Sequence, residues 1–168
     1  MNILIPTDFT TQARSLLRYV LDLSQNTQEH LNFFLLNTYL VQMNTEPNQL
    51  LQNNDELKQK SKLMLEEEVE WARHYSKNTK LNIMPVSHMG SINNVILNLL
   101  SKKAINLVIL GDEDHVHRDI ALFLQSQNYP VLSIPVTKKN LIYDIYKESS
   151  SGRVLFLINE TEGALLNE

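Results

Sequence analysis

The sequence predicts an α/β protein with a doubly wound, five-stranded parallel sheet flanked by helices and an extra C-terminal strand. Two observations carry that expectation. Short apolar runs alternate with longer amphipathic stretches in the order β-α-β-α-β-α-β-α-β, and this alternation calls for parallel strands joined by right-handed crossovers. The run Leu31 to Leu36, LNFFLL, is apolar almost throughout, as in a strand covered by helices on both faces.

The first strand is Ile3-Leu4-Ile5, stopped by Pro6. Thr10 or Thr11 then caps a helix whose Ala13, Leu16, Leu17, Val20 and Leu21 recur at helical spacing and form one apolar stripe. The second strand follows a polar turn at 26–30. Residues 42–56, QMNTEPNQLLQNNDE, are rich in Asn and Gln and contain Pro47, so they read as a loop. A long helix follows to about Lys77, with Leu57, Leu65, Val69 and Ala72 inward and Met64, Trp71 and Tyr75 widening that face. Its EEE run at 66–68 reads as a solvated surface. The third strand is Leu81 to Val86. Ser91 caps a helix carrying Ile92, Val95, Ile96, Leu99 and Leu100. Leu107 to Leu110 is the fourth strand, 118–127 a short helix, and Val131 to Ile134 the fifth strand, closed by Pro135.

A chain of 168 residues can bury one good core with a small appendage. Its net charge is −4 and its basic residues form no stripe, which argues against nucleic-acid binding. The chain has no cysteine, so disulfides and thiolate chemistry are excluded. The opening MNILIPTDF lacks a secretory pattern, and no apolar run approaches the roughly 18 residues of a membrane helix. These features suit a cytoplasmic protein.

Residues 1–136 read as one domain and the polar stretch 137–152, ending in Ser-Ser-Ser-Gly, as a linker. The segment 153–168, RVLFLINETEGALLNE, aligns without a gap on NILIPTDFTTQARSLL, pairing Ile3 with Val154, Thr10 with Thr161 and Ala13 with Ala164. Two readings stay open. It is either the start of a truncated second repeat or an unrelated C-terminal strand.

In a doubly wound sheet the ligand crevice lies beyond the carboxyl ends of the strands, where the winding reverses. Those ends supply the candidate residues Pro6, Thr7, Asp8, Thr38, Gly111, Asp112 and Asp114.

Over residues 1 to about 136 the chain resembles the universal stress protein (UspA-like) family. The resemblance rests on ILIPTDFTTQA at the start, PVLSIP at 130–135, and the strand-Gly, helix, strand spacing between LVILG and PVLSIP. It implies an adenine nucleotide alpha hydrolase-like fold, common dimerisation, and membership of either a nucleotide-binding or a non-binding group. In the binding group it implies that Asp8 and the end of the second strand near Thr38 hold base and ribose. The phosphates then rest on a Gly, two residues, Gly, nine residues, Gly, Ser/Thr loop after the fourth strand. Gly111 fits the first position. The second glycine falls on Asp114, the third on Leu124 and the hydroxyl on Gln125; counting back from PVLSIP puts the last two on His117 and Arg118. Neither count restores the motif.

Physical chemistry points the same way. A phosphate cradle needs glycines, which let backbone N–H groups approach and turn with positive φ. A carboxylate about 4 Å from a phosphate costs on the order of 4 kcal/mol at an effective dielectric near 20, close to a thousandfold in affinity. Asp112, Glu113 and Asp114 all stand in the segment, so ATP binding is expected to be lost and no cofactor is expected.

Asp112, Asp114, His115 and His117 also invite a metal reading. His-x-His puts both imidazoles on one side only in extended backbone. Acids capping the following helix are the favoured alternative. No nucleophile-base spacing points to an enzyme. The sequence is therefore read as a non-catalytic, dimeric interaction protein of a stress response, paired through the fifth-strand edge or the C-terminal strand, with unknown protein partners. A small-ligand domain holding a nucleoside or nucleotide is the alternative, and a metal-dependent hydrolase using Asp8 is less favoured.

Overall fold

The computed structural model of the chain describes residues 1–25, 27–40, 47–111 and 115–134. The expected linker at 137–152 and strand at 153–168 lie outside these residues. The described chain alternates β1 (Asn2–Pro6), α1 (Thr11–Ser24), β2 (Leu31–Tyr39), α2 (Pro47–Tyr75), β3 (Leu81–Met89), α3 (Ile92–Lys103), β4 (Leu107–Gly111), α4 (His115–Ser126) and β5 (Val131–Ile134). The strands form one sheet in the order β3-β2-β1-β4-β5, and every pairing is parallel.

The pleat sorts the strand residues into two cores. Ile3, Ile5, Phe33, Leu35 and Ile109 meet the stripes of α1 and α2 on one face. Leu4, Phe34, Leu36, Val108 and Leu110 meet α3 and α4 on the other. This is why β2 carries no polar face: its neighbouring residues point into opposite cores, and each needs cover. The five apolar positions expected to face inward from α1 are all buried. Thr10 caps α1, its hydroxyl oxygen accepting the Ala13 N–H at 3.2 Å. Ser91 stands at the N-cap of α3, but its side chain makes no capping hydrogen bond.

Two expected boundaries are corrected. Residues 47–56, expected in a loop, form the first turns of α2. Pro47 opens the helix, where its locked φ fits and no intrahelical N–H is missed; the Gln and Leu residues behind it are good helix formers. At 29 residues the helix runs about 43 Å. Ser61 is bonded at the level of Asn37 and Ser87, so residues 47–60 extend beyond that level, about 20 Å along the helix axis. The second correction concerns α4, which begins at His115 rather than at 118.

The two edges of the sheet differ. In β3, Pro85 pairs with Leu35, and Leu31 donates its N–H to Lys80 O at 3.1 Å. That register turns the backbone groups of Leu81, Ile83 and Pro85 outward. Pro85 has no N–H to offer, and Arg73 Nη2 donates to Ile83 O at 2.9 Å. This edge is blunted twice over. In β5, Val108 donates its N–H to Pro130 O and pairs with Val131, which turns the N–H and C=O of Val131 and Ser133 away from β4. Among the described residues nothing pairs with that side.

Candidate functional site

The winding reverses between β1 and β4, whose pairing covers only Ile3↔Leu107 and Leu4↔Val108. Carrying that register onward brings Thr7 level with Gly111. The β1–β2 register, from Asn2↔Asn32 to Pro6↔Leu36, likewise brings Asp8 level with Thr38. Pro6, Thr7, Asp8, Thr38 and Gly111 therefore gather at the carboxyl edge, as expected of the switch point. Asp112 and Asp114 lie outside the described residues.

The β1–α1 connection is built from short side chains bonded to their own backbone. Thr7 is buried; its N–H reaches Leu36 O at 2.8 Å, and its hydroxyl oxygen accepts the Phe9 N–H at 3.2 Å. Asp8 is exposed. Its Oδ1 accepts the Thr10 N–H at 3.0 Å and the Thr10 hydroxyl at 2.6 Å. Between them Phe9 is held at φ +64°, a left-handed conformation that costs a side chain on the order of 1 kcal/mol. Asp8 is thus the residue that shapes the turn and starts α1, with Oδ2 left for other partners.

Beneath the edge runs a polar chain that the sequence did not reveal. Asn37 Nδ2 donates to Thr7 O at 2.9 Å, and Ser61 Oγ donates to Asn37 Oδ1 at 2.7 Å. Ser61 has spent its proton on Asn37, so its 2.7 Å contact with Ser87 Oγ is one in which Ser87 donates. The ends of β1, β2 and β3 are thereby tied to α2. A signal for Ser61 was available: it is a small polar residue spaced four from both Leu57 and Leu65, on the inward stripe.

A second feature lies beside this edge. A cleft of about 360 Å³ opens between the first turn of α1 and the middle of α2, lined by Phe9, Thr10, Thr11, Arg14, Met64, Glu67 and Glu68. It shares no residue with the predicted set. Glu68 corrects the reading of the EEE run, because only Glu66 and Glu67 are exposed while Glu68 is 4% accessible. Arg14 makes this burial possible by donating from Nε to Oε1 at 3.2 Å and from Nη2 to Oε2 at 2.7 Å. The same guanidinium stacks 5.0 Å above the Trp71 ring, and Trp71 stacks on Tyr75 at 5.3 Å. Arg18 continues the ladder, donating to Tyr75 Oη at 3.1 Å. The hydrogen bond to Glu68 pushes the Arg14 pKa above its ordinary value, against a smaller opposing effect of burial.

Of the metal candidates, His115 and His117 fall in α4, helical rather than extended backbone, and Asp112 and Asp114 lie outside the described residues. Among the described residues no three His, Asp or Glu side chains gather where one ion could bind. His74 is exposed and His88 half-exposed, its Nδ1 lying 3.0 Å from Met89 O. Among the described residues no helix is long and apolar enough to cross a membrane.

A doubly wound parallel sheet of this order, with its switch point between β1 and β4, defines the class: a doubly wound α/β domain. No family profile and no curated protein matches the sequence. Solved structures match the fold. The universal stress protein UspA from Lactobacillus plantarum is 15% identical, covering 79% of this chain and 96% of its own, with a TM-score of 0.61. A universal stress protein family member from Burkholderia pseudomallei is 15% identical, covering 80% and 95%, with a TM-score of 0.57. A universal stress protein family member from Arabidopsis thaliana with AMP bound is 10% identical, covering 83% and 94%, with a TM-score of 0.58. The chain has the fold of the universal stress proteins.

Proposed function

We propose that the chain acts as a universal stress protein-like regulatory domain, a non-catalytic cytoplasmic homodimer that works through protein contacts and does not bind ATP. The observation that carries this reading is the run of residues at the end of β4. Gly111 is followed directly by Asp112, Glu113 and Asp114, which stand in sequence where the fold's crevice would receive phosphates. Glycine-poor backbone and like charge both disfavour a triphosphate there. A second reading, that the crevice takes a nucleoside or nucleotide, is favoured by the AMP in the Arabidopsis structure and by the edge where Pro6, Asp8 and Thr38 stand together.

Calorimetric titration with ATP, AMP and adenosine separates these readings. No saturable heat with any of the three supports the interaction domain; adenosine or AMP binding without ATP binding supports the second reading; ATP binding with Mg²⁺ in the micromolar range defeats the proposal.

The dimer is assigned to the outward side of β5. Ser133→Pro removes an N–H that faces away from β4, so it blocks strand addition at this edge while sparing the β4 ladder. Light scattering is expected to report a dimer for the parent chain and a monomer for this variant, with unchanged circular dichroism. A variant that stays dimeric places the interface elsewhere.

A further inference from the structure

We infer that the α1–α2 cleft is a binding site for a small cationic molecule, a primary ammonium group carried on a compact apolar or aromatic body. It is independent of the switch-point reading above, and either can fail alone. At about 360 Å³ the cleft has the size of a small-ligand site. Its apolar walls are Phe9 and Met64, a ring and a polarizable thioether that adapt to flat or branched bodies.

The charges decide the head group. Arg14 and the buried Glu68 neutralise one another through two hydrogen bonds, and Arg14 is further held over Trp71. Glu67 lines the same cleft, is exposed, makes no hydrogen bond among the described residues, and acts on Arg14 through charge less strongly than Glu68 does. Once the Arg14–Glu68 pair is balanced, one negative charge remains. The Asp8 carboxylate, bonded to Thr10 in the cleft wall, adds to that sign. The partial positive charge of the α1 N-terminus opposes this, as does Lys60, one turn before Met64 in α2. An anionic ligand would meet net repulsion here, and a cation net attraction. The Thr10 hydroxyl is committed, donating to Asp8 and accepting from Ala13, whereas the Thr11 hydroxyl has no partner among the described residues. Thr11 can therefore accept a second hydrogen bond from the ammonium.

The test uses the full chain with 2-phenylethylamine and 3-phenylpropanoate, ligands of the same body and opposite charge. Titration followed by amide NMR is expected to give saturable binding of the amine, with shifts centred on Phe9, Thr11 and Arg14. The carboxylate is expected to bind at least about tenfold more weakly. Glu67→Gln, at an exposed position, is expected to keep the parent melting temperature and weaken the amine about fivefold. Met64→Lys places a competing cation in the wall and is expected to abolish binding. Equal affinity for the two ligands, an amine affinity unmoved by Glu67→Gln, shifts centred away from the cleft, or no saturation in the millimolar range would each overturn the inference.

Discussion

Replacing Phe33 by alanine is expected to lower the unfolding free energy by about 3–5 kcal/mol. Phe33 sits in β2 between Ile3 of β1 and Ile83 of β3, and is 1% exposed. It belongs to the core that β2 shares with Leu17, Leu21, Leu65 and Val69 of the two covering helices. A close-packed interior collapses only partly around a deletion, so the lost transfer energy and the cavity add. Against the roughly 5–15 kcal/mol that holds a domain folded, this is a large fraction. Urea unfolding should show the midpoint falling with an unchanged slope. Phe33→Leu, which keeps most of the volume, is expected to cost distinctly less. Equal costs for the two variants would mean that the site is less tightly packed than the sheet register implies.

The second large effect is expected at Arg14. Arg14→Ala leaves the Glu68 carboxylate, 4% accessible, without its two hydrogen bonds. Breaking a fully buried pair costs about 3–5 kcal/mol; because the Arg14 side chain is 51% exposed, about 2–3 kcal/mol is expected. The double variant Arg14→Met with Glu68→Leu removes both charges and keeps the bulk, so it is expected to recover most of that loss. Denaturant midpoints for the single and double variants decide the matter. A double variant no more stable than Arg14→Ala would show that an orphaned Glu68 charge is not the cause. The Arg14 pKa is raised, so on the cation's side stability is present below its unfolded value and lost only above its folded one, both far into the alkaline range.

Much of the fold was legible because periodicity reports burial directly. The α1 stripe and the unbroken apolar run of β2 each mark a surface that must be covered, and both stand where expected. The start of α2 was not legible, since the same proline that breaks a helix interior also opens one. Glu68 was hidden for a different reason. A charge is buried only when a partner fifty-four residues away reaches it, and local sequence does not report such a partner. The placing of Pro6, Thr7, Asp8, Thr38 and Gly111 at the carboxyl edge of the sheet followed from strand ends alone. Ser61 and the Arg14 cleft depend on how α2 crosses α1 and the sheet, and that crossing is set by tertiary packing.

The unequal edges of the sheet bear on how copies of the chain can associate. Proline and an arginine-bonded carbonyl blunt the β3 margin against a neighbouring strand, whereas in β5 the backbone groups of Val131 and Ser133 turn away from β4 with no partner among the described residues. Head-to-tail stacking into fibres, the usual hazard of an open sheet, needs both margins and is stopped at the β3 side.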